Sequence, residues 1–493
     1  METLFDSNST HWIVWVIMLP LISAMLCFLW PRRAAALGMA TVIGNLFTVW
    51  ALCLQVLEQG VLRYTLGGWD APLGIGLYAD GLSILMLLMT AVVSIGVSLY
   101  AIGYFGQGQN NPAGFWPLWL FLLTALNALF LSADIFNLYV TLELLGLAAV
   151  AMVALAGGKN ALAGAMRYLL VGLLASLAYL LGVALLYHTY GAVDIATLGE
   201  VVTGNPATWA ALGLMVTAML IKTALFPLHF WLPPAHSSAP APVSALLSAL
   251  VVKGSFYLLL RLLFDVFPDV GPLLSQALGV LGAAAILWGS FQALRQTRLK
   301  LLVAYSTVAQ LGYLFLPFPM AAAGATIMAW NGGIYFILSH ALAKAAMFLA
   351  AGNILKFGGH DRITGLDRVA QRLPLTLAAF GLAGVSIMGL PPSGGFIAKW
   401  LLLEAALTNG QWWWAAVMVA GGILAAAYVF KVVGYAFTQA EVTHDAGSVP
   451  SSMEWAALGL AVGALALGLL APQSLSILEI ANPWTPAAEG GVL

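Results

Sequence analysis

Apolar runs of about twenty residues recur from one end of the chain to the other, and no other feature constrains its fold so tightly. Each run is long enough to cross roughly 30 Å of hydrocarbon as a helix. Hydrophobic residues make up 62% of the 493 positions and charged residues only 8%. In an ordinary soluble domain about a quarter of positions are charged. The chain therefore reads as an all-α polytopic membrane protein. Its 51 glycines suit helices that pack closely in lipid. A net charge of −1 excludes nucleic acid as a partner. Cys27 and Cys53 lie in apolar helices without metal-like spacing. The opening METLFDSNSTHW lacks the basic stretch of a cleaved signal peptide.

Fourteen spans are read, at about 12–30, 34–57, 79–104, 114–132, 134–156, 162–189, 207–237, 240–263, 271–294, 299–318, 322–356, 374–408, 411–437 and 452–472. Spans seven, eleven and twelve are too long for a simple crossing and contain Pro or Gly, so each is expected to be one broken helix. Loops of one set carry Arg32, Arg33, Lys159, Arg167, Arg295, Arg298, Lys300, Lys356, Arg362, Arg368 and Arg372. The opposite set carries only Arg63 and Arg261, and neither terminal tail holds Lys or Arg. The positive-inside rule places the basic loops in the cytoplasm and, with an even count, both termini on the outer side of the cell (inner) membrane.

Several ionisable residues sit too deep to be loop anchors. Lys222 lies midway along span seven and Lys253 midway along span eight. His340 and Lys344 are one turn apart on span eleven, Lys399 follows the interruption of span twelve, and Glu143 is the deep carboxylate of span five. One such lysine could be a paired polar group that fixes helix packing. Five basic groups on four helices with a carboxylate form a series, and embedded ionisable residues mark ion paths and proton relays. An amine suits a relay because, away from water, it can exist with or without its proton.

The prolines belong to the same picture. Pro227 removes a backbone hydrogen bond from span seven, with Pro233 and Pro234 as a second interruption. Pro391 and Pro392, beside Gly394 and Gly395, do the same in span twelve. Unpaired backbone at membrane depth is tolerated where it is buried in protein or lines a wet cavity. Spans four to eight and nine to thirteen then form two five-helix units, each broken in its fourth helix and the second inverted relative to the first. The implied divisions are 1–112 for the first three helices, 113–266 and 267–440 for the two repeats, and 441–493 for helix fourteen and the tail.

Other positions are weaker candidates. His229 and His236 are seven apart and could present two haem ligands, but the intervening prolines spoil a shared face, leaving hydration-lining or polar packing. Asp134 and Asp80 read as caps of spans five and three. Glu404 is either the counter-ion of Lys399 or an interfacial carboxylate. Tyr305 and Ser306 could donate to a water chain or serve helix packing.

The blocks FNLYVTLELL, IKTALFPLHFWLPPAHSSAPAPVSALL, RLKLLVAYSTVAQLGY, SHALAKAAMFLAAGNI and GLPPSGGFIAKW together resemble the antiporter-like subunits shared by respiratory complex I, membrane-bound hydrogenases and multisubunit Mrp cation/proton antiporters. That resemblance, over about residues 80–437, implies fourteen helices, inverted repeats, breaks in spans seven and twelve and a horizontal polar axis. It implies that Glu143 and Lys222 are a coupling pair, Lys253 and His340 central relay members with Lys344 beside them, and Lys399 the exit-side residue. Length and Lys399 look most like the Mrp D subunit, with N-type quinone-oxidoreductase and hydrogenase subunits close behind.

The leading expectation is a proton-translocating subunit of a hetero-oligomeric Na+/H+ antiporter. The alternative is the proton-pumping module of a complex I-like quinone oxidoreductase or hydrogenase. No cofactor or metal is expected in this chain itself. Quinone, flavin and iron–sulfur centres would belong to partner subunits, because there is no cysteine cluster to hold such a centre. A purely structural scaffold leaves the deep charge series unexplained.

Overall fold

The computed structural model describes residues 11–69, 74–106, 112–267, 271–440 and 447–484. Both chain ends, whose side of the membrane the charge pattern assigns, and the first ten residues of the opening segment lie outside the described residues. Among the described residues, eleven helices are long and apolar enough to cross a membrane. A twelfth crossing is made if Ser451–Ala466 and Ala471–Leu478, bent by 74° to each other, count as one span. The protein is an all-α, multi-pass integral membrane protein.

Burial separates a centre from a rim. The most apolar stretches of Ala241–Val266 and Thr326–Gly358 are wholly buried, whereas those of Gly158–Tyr190 and Trp412–Phe437 are only 33% buried. A helix that is apolar all round belongs inside a bundle, and the two buried ones carry Lys253, His340 and Lys344. The rim helices turn leucines outward, among them Leu162, Leu170, Leu174 and Leu177.

Two apolar helices stop short. Pro206–Lys222 ends just ahead of Pro227, and a non-helical stretch follows before Leu232–Ser238 begins. The proline ring clashes with the carbonyl four residues earlier, which is that of Thr223, so the helix ends there. Pro233 and Pro234 do not form a second interruption. They occupy the first turn of Leu232–Ser238, where a missing N–H costs nothing. The other stop follows Met388, where Gly389 adopts φ +84°. The chain passes Pro391 and Pro392 and restarts at Gly394, with the Ser393 hydroxyl accepting from the Phe396 N–H at 3.2 Å.

The expected break in span eleven is absent: Thr326–Gly358 is one continuous helix of 33 residues. Its Gly332–Gly333 pair serves close packing instead. A Cβ on Gly332 would lie 2.9 Å from Leu402, and one on Gly333 would lie 2.9 Å from Pro317. Span eight is not uniform either, with π-helical turns at Leu247–Val251 and Leu262–Val266. The connection between spans two and three contains a hairpin in which Leu62–Thr65 pairs antiparallel with Gly76–Ala79.

Candidate functional site

The carboxylate and the first lysine meet. Glu143, in the helix Ile135–Ala154, accepts a hydrogen bond from Lys222 Nζ at 3.0 Å. The Ser176 hydroxyl donates to the same Glu143 oxygen. Lys222 is the last residue of its helix, so its ammonium also lies at the negative end of the helix dipole. The two side chains are 20% and 10% exposed, partly buried towards the rim. Beside them is a cavity of about 30 Å³, lined also by Tyr168, Trp231 and Ser255. That is room for a water or two.

Lys253 and Lys344 lie at the centre and are fully buried. The Lys253 ammonium donates to the carbonyl of Ser248, one π-helical turn back in the same span. The Ser248 hydroxyl lies 2.9 Å from that of Thr307. Thr307 donates to the Val303 carbonyl at 3.0 Å, and Lys344 Nζ donates to that carbonyl at 3.2 Å. Lys344 also donates to the Ser306 hydroxyl. Two amines from different helices therefore sit on one polar patch of Ser248, Thr307 and Val303, each anchored on a backbone carbonyl that accepts but cannot donate. Among the described residues neither amine has a carboxylate partner within ion-pair distance.

His340, one turn before Lys344, is 2% exposed and stacks on Phe336 with ring centres 5.7 Å apart. Neither of its ring nitrogens has a protein hydrogen-bond partner. Buried polar atoms are rarely left unpaired, and bound water is the ordinary remedy.

Lys399 closes the row. Its ammonium donates to the carbonyls of Ile387 at 2.7 Å and Met388 at 3.4 Å, which the break after Met388 leaves free. It also sits 4.4 Å from the centre of the Tyr313 ring. No ion pair among the described residues joins it to Glu404, so of the two readings of that carboxylate the counter-ion is not the one seen.

The secondary candidates separate. His229 lies in the break after Lys222, while His236 is on the helix beyond it, buried and stacked on Phe348 at 4.8 Å. The two therefore do not share a helix face. Asp134 caps its helix, accepting from the Asn137 N–H at 2.7 Å. Asp80 does more than cap: it accepts from the Ser83 N–H at 2.8 Å and from Arg261 Nη2 at 2.7 Å. Tyr305 is half-buried, and it is its neighbour Ser306 that touches Lys344.

Sequence reasoning missed Ser248 and Thr307, although a hydroxyl five residues before a buried lysine was the available signal. Lys300, taken for a loop anchor, is buried and donates to the Ala239 carbonyl. Arg261, taken for an outer-loop residue, is likewise buried.

A multi-pass bundle whose broken helices and central helices hold this row of amines is an antiporter-like, proton-translocating membrane subunit. Residues 132–425 match the family described as NADH:quinone oxidoreductase/Mrp antiporter, TM, and residues 68–113 match NADH-Ubiquinone oxidoreductase (complex I), chain 5 N-terminus. The chain belongs to the NADH:quinone oxidoreductase/Mrp antiporter family. It is 35% identical to the N subunit of the NADH-quinone oxidoreductase of Desulforudis audaxviator, over 97% of this chain and 99% of that one. It is 29% identical to the D subunit of the Na(+)/H(+) antiporter of Alkalihalophilus pseudofirmus, over 80% of each. Its fold is similar to that of a chain in the Mrp complex from Dietzia sp., with a TM-score of 0.86 and 26% identity over 96% and 97% of the two chains.

Proposed function

We propose that this subunit relays protons sideways, within the plane of the membrane, along Glu143, Lys222, Lys253, His340, Lys344 and Lys399 with bound water between them. The observation that carries this reading is the Glu143–Lys222 contact at 3.0 Å beside a row of buried amines, of which Lys253 and Lys344 are anchored on the carbonyls of one polar patch while water carries the proton between them. A buried ion without a partner costs several kcal/mol, which suits amines that hold a proton in passing. The Glu143–Lys222 pair is the switch. Making the contact favours the charged lysine, and breaking it releases the proton inward.

The axis suits protons better than Na+. A hard cation requires several oxygen ligands, whereas Glu143 is the one carboxylate among the five basic groups of this row. In an antiporter the Na+ path would therefore lie away from it. Among assemblies, identity to an N-type relative over nearly the whole chain favours a quinone-oxidoreductase-like complex in which partner subunits supply the redox centres. The antiporter relative keeps Na+/H+ exchange as the second reading. Counting Pro206–Ser238 and Pro374–Thr408 as broken spans, together with the bent final pair, gives fourteen crossings. Inverted repeats over 113–266 and 267–440 and outward termini accord with that count.

The test is to purify the native complex, identify its co-subunits and reconstitute it in vesicles. Proton movement driven by electron transfer to quinone is the expected result. Movement driven only by a Na+ gradient selects the second reading, and no proton movement under either drive removes the relay reading itself.

A further inference from the structure

Span eight carries more titratable chemistry than the relay uses. Lys253, Tyr257, Arg261 and Asp265 recur every four residues and so share one face of the helix. From the deep lysine this stripe runs to an open cavity of about 620 Å³ at the hairpin end of the molecule, lined by Arg261, Asp265, Asp194, Glu200, Arg63 and Tyr78 among others. Exposure rises along it, from fully buried Lys253 to Asp265 at 28%.

Beyond Lys253 the groups are connected, and the Tyr257 hydroxyl donates to the Phe130 carbonyl at 2.7 Å. Tyr257 OH lies 3.2 Å from the Ser83 hydroxyl, which donates to Asp80 at 2.9 Å. Arg261 binds all of them: Nε to Tyr257 at 2.9 Å, Nη2 to Asp80 at 2.7 Å and Ser83 at 3.1 Å, Nη1 to Asp265 at 3.2 Å. One guanidinium thus holds a buried and a half-open carboxylate, and a small void lined by Asp80, Arg261 and Asp265 adjoins the cavity.

We propose that this cavity is the aqueous port on the face opposite the basic loops, and that Tyr257, Ser83, Asp80 and Asp265 pass protons between it and Lys253. The inference rests on the lateral relay and adds where that relay meets water. Along this path the Tyr257 hydroxyl turns from the Phe130 carbonyl to Ser83, Ser83 passes its own proton to Asp80, and water spans Lys253 to Tyr257 and Asp80 to Asp265, so that H+ alone moves. Arg261 is the fixed countercharge. It orients both carboxylates, while Asp194 and Glu200 make the outer mouth attractive to protons.

Two variants of the whole complex in proteoliposomes test this. Thr197→Cys places a thiol on the cavity wall, and Cys27 and Cys53 are both buried. Unlabelled, it should pump normally, which shows that the relay is intact. A membrane-impermeant cationic thiol reagent applied from the cavity side should then cut flux at least several-fold. Full labelling with unchanged flux overturns the port. Tyr257→Phe keeps the ring and removes the hydroxyl, and a loss of ten-fold or more in assembled complex is expected. Flux within two-fold of wild type in that variant also overturns the proposal, without touching the assignments of Lys222 or Lys344.

Discussion

Replacing Glu143 by Gln preserves shape and removes the charge that faces Lys222 at 3.0 Å. At that distance, and with an effective dielectric constant of about 20, the pair is worth about 5 kcal/mol. Both side chains are less than a third exposed, so water screens only part of it. Deleting one partner of a buried pair ordinarily costs about 3–5 kcal/mol, because the other charge is left behind. If about 3 kcal/mol of this appears in the barrier for protonating Lys222, flux falls roughly 150-fold. The assay is dye-reported acidification in proteoliposomes, with co-purification of partner subunits as the check on assembly. The double variant Glu143→Gln, Lys222→Met leaves no orphan charge and should recover stability without recovering flux. A Glu143→Gln complex that assembles and pumps within two-fold of wild type refutes the coupling assignment. A double variant that pumps refutes the idea that these groups carry the proton.

Three further outcomes are expected. Thr307→Val keeps the volume but removes the hydroxyl that links Ser248 to the Val303 carbonyl; flux should drop about ten-fold, with roughly 1 kcal/mol lost in stability, read by vesicle acidification and thermal melting. Asp134→Ala removes a helix cap and should cost about 1 kcal/mol, while flux per assembled complex stays unchanged; a well-assembled but inactive variant contradicts the capping role. Gly395→Ala would put a Cβ 1.9 Å from the Ser386 carbonyl, so the break before Lys399 has to distort. The expected result is a lower yield of assembled complex on native gels, whereas normal yield and normal flux contradict so close a contact between Gly395 and Ser386.

The amino-acid sequence carries much of this. A lysine, histidine or glutamate amid apolar residues stands out in one dimension, so all six positions of the proposed relay are legible there, as are Pro227 and the di-proline at which helices end. What stays hidden depends on contacts between distant segments. Span eleven reads as broken because it is long and contains glycine, which weakens an isolated helix, but Leu402 and Pro317 pack where side chains on Gly332 and Gly333 would be and the helix stays whole. Arg261 looks like a loop cation, since nothing local shows that Asp80, 181 residues away, lies against it. The polar patch at Ser248 depends on a π-turn, and its widened pitch has no simple periodic signature. Lys300 reads as a loop anchor because its partner, the Ala239 carbonyl, comes from the distant connection between spans seven and eight.

Lys253→Met cuts the row at its middle and leaves the Glu143–Lys222 pair intact, so proton flux through the assembled, reconstituted complex tests the lateral relay most directly. The account predicts flux at the level of protein-free vesicles. Flux equal to wild type would show that protons cross this subunit by another route.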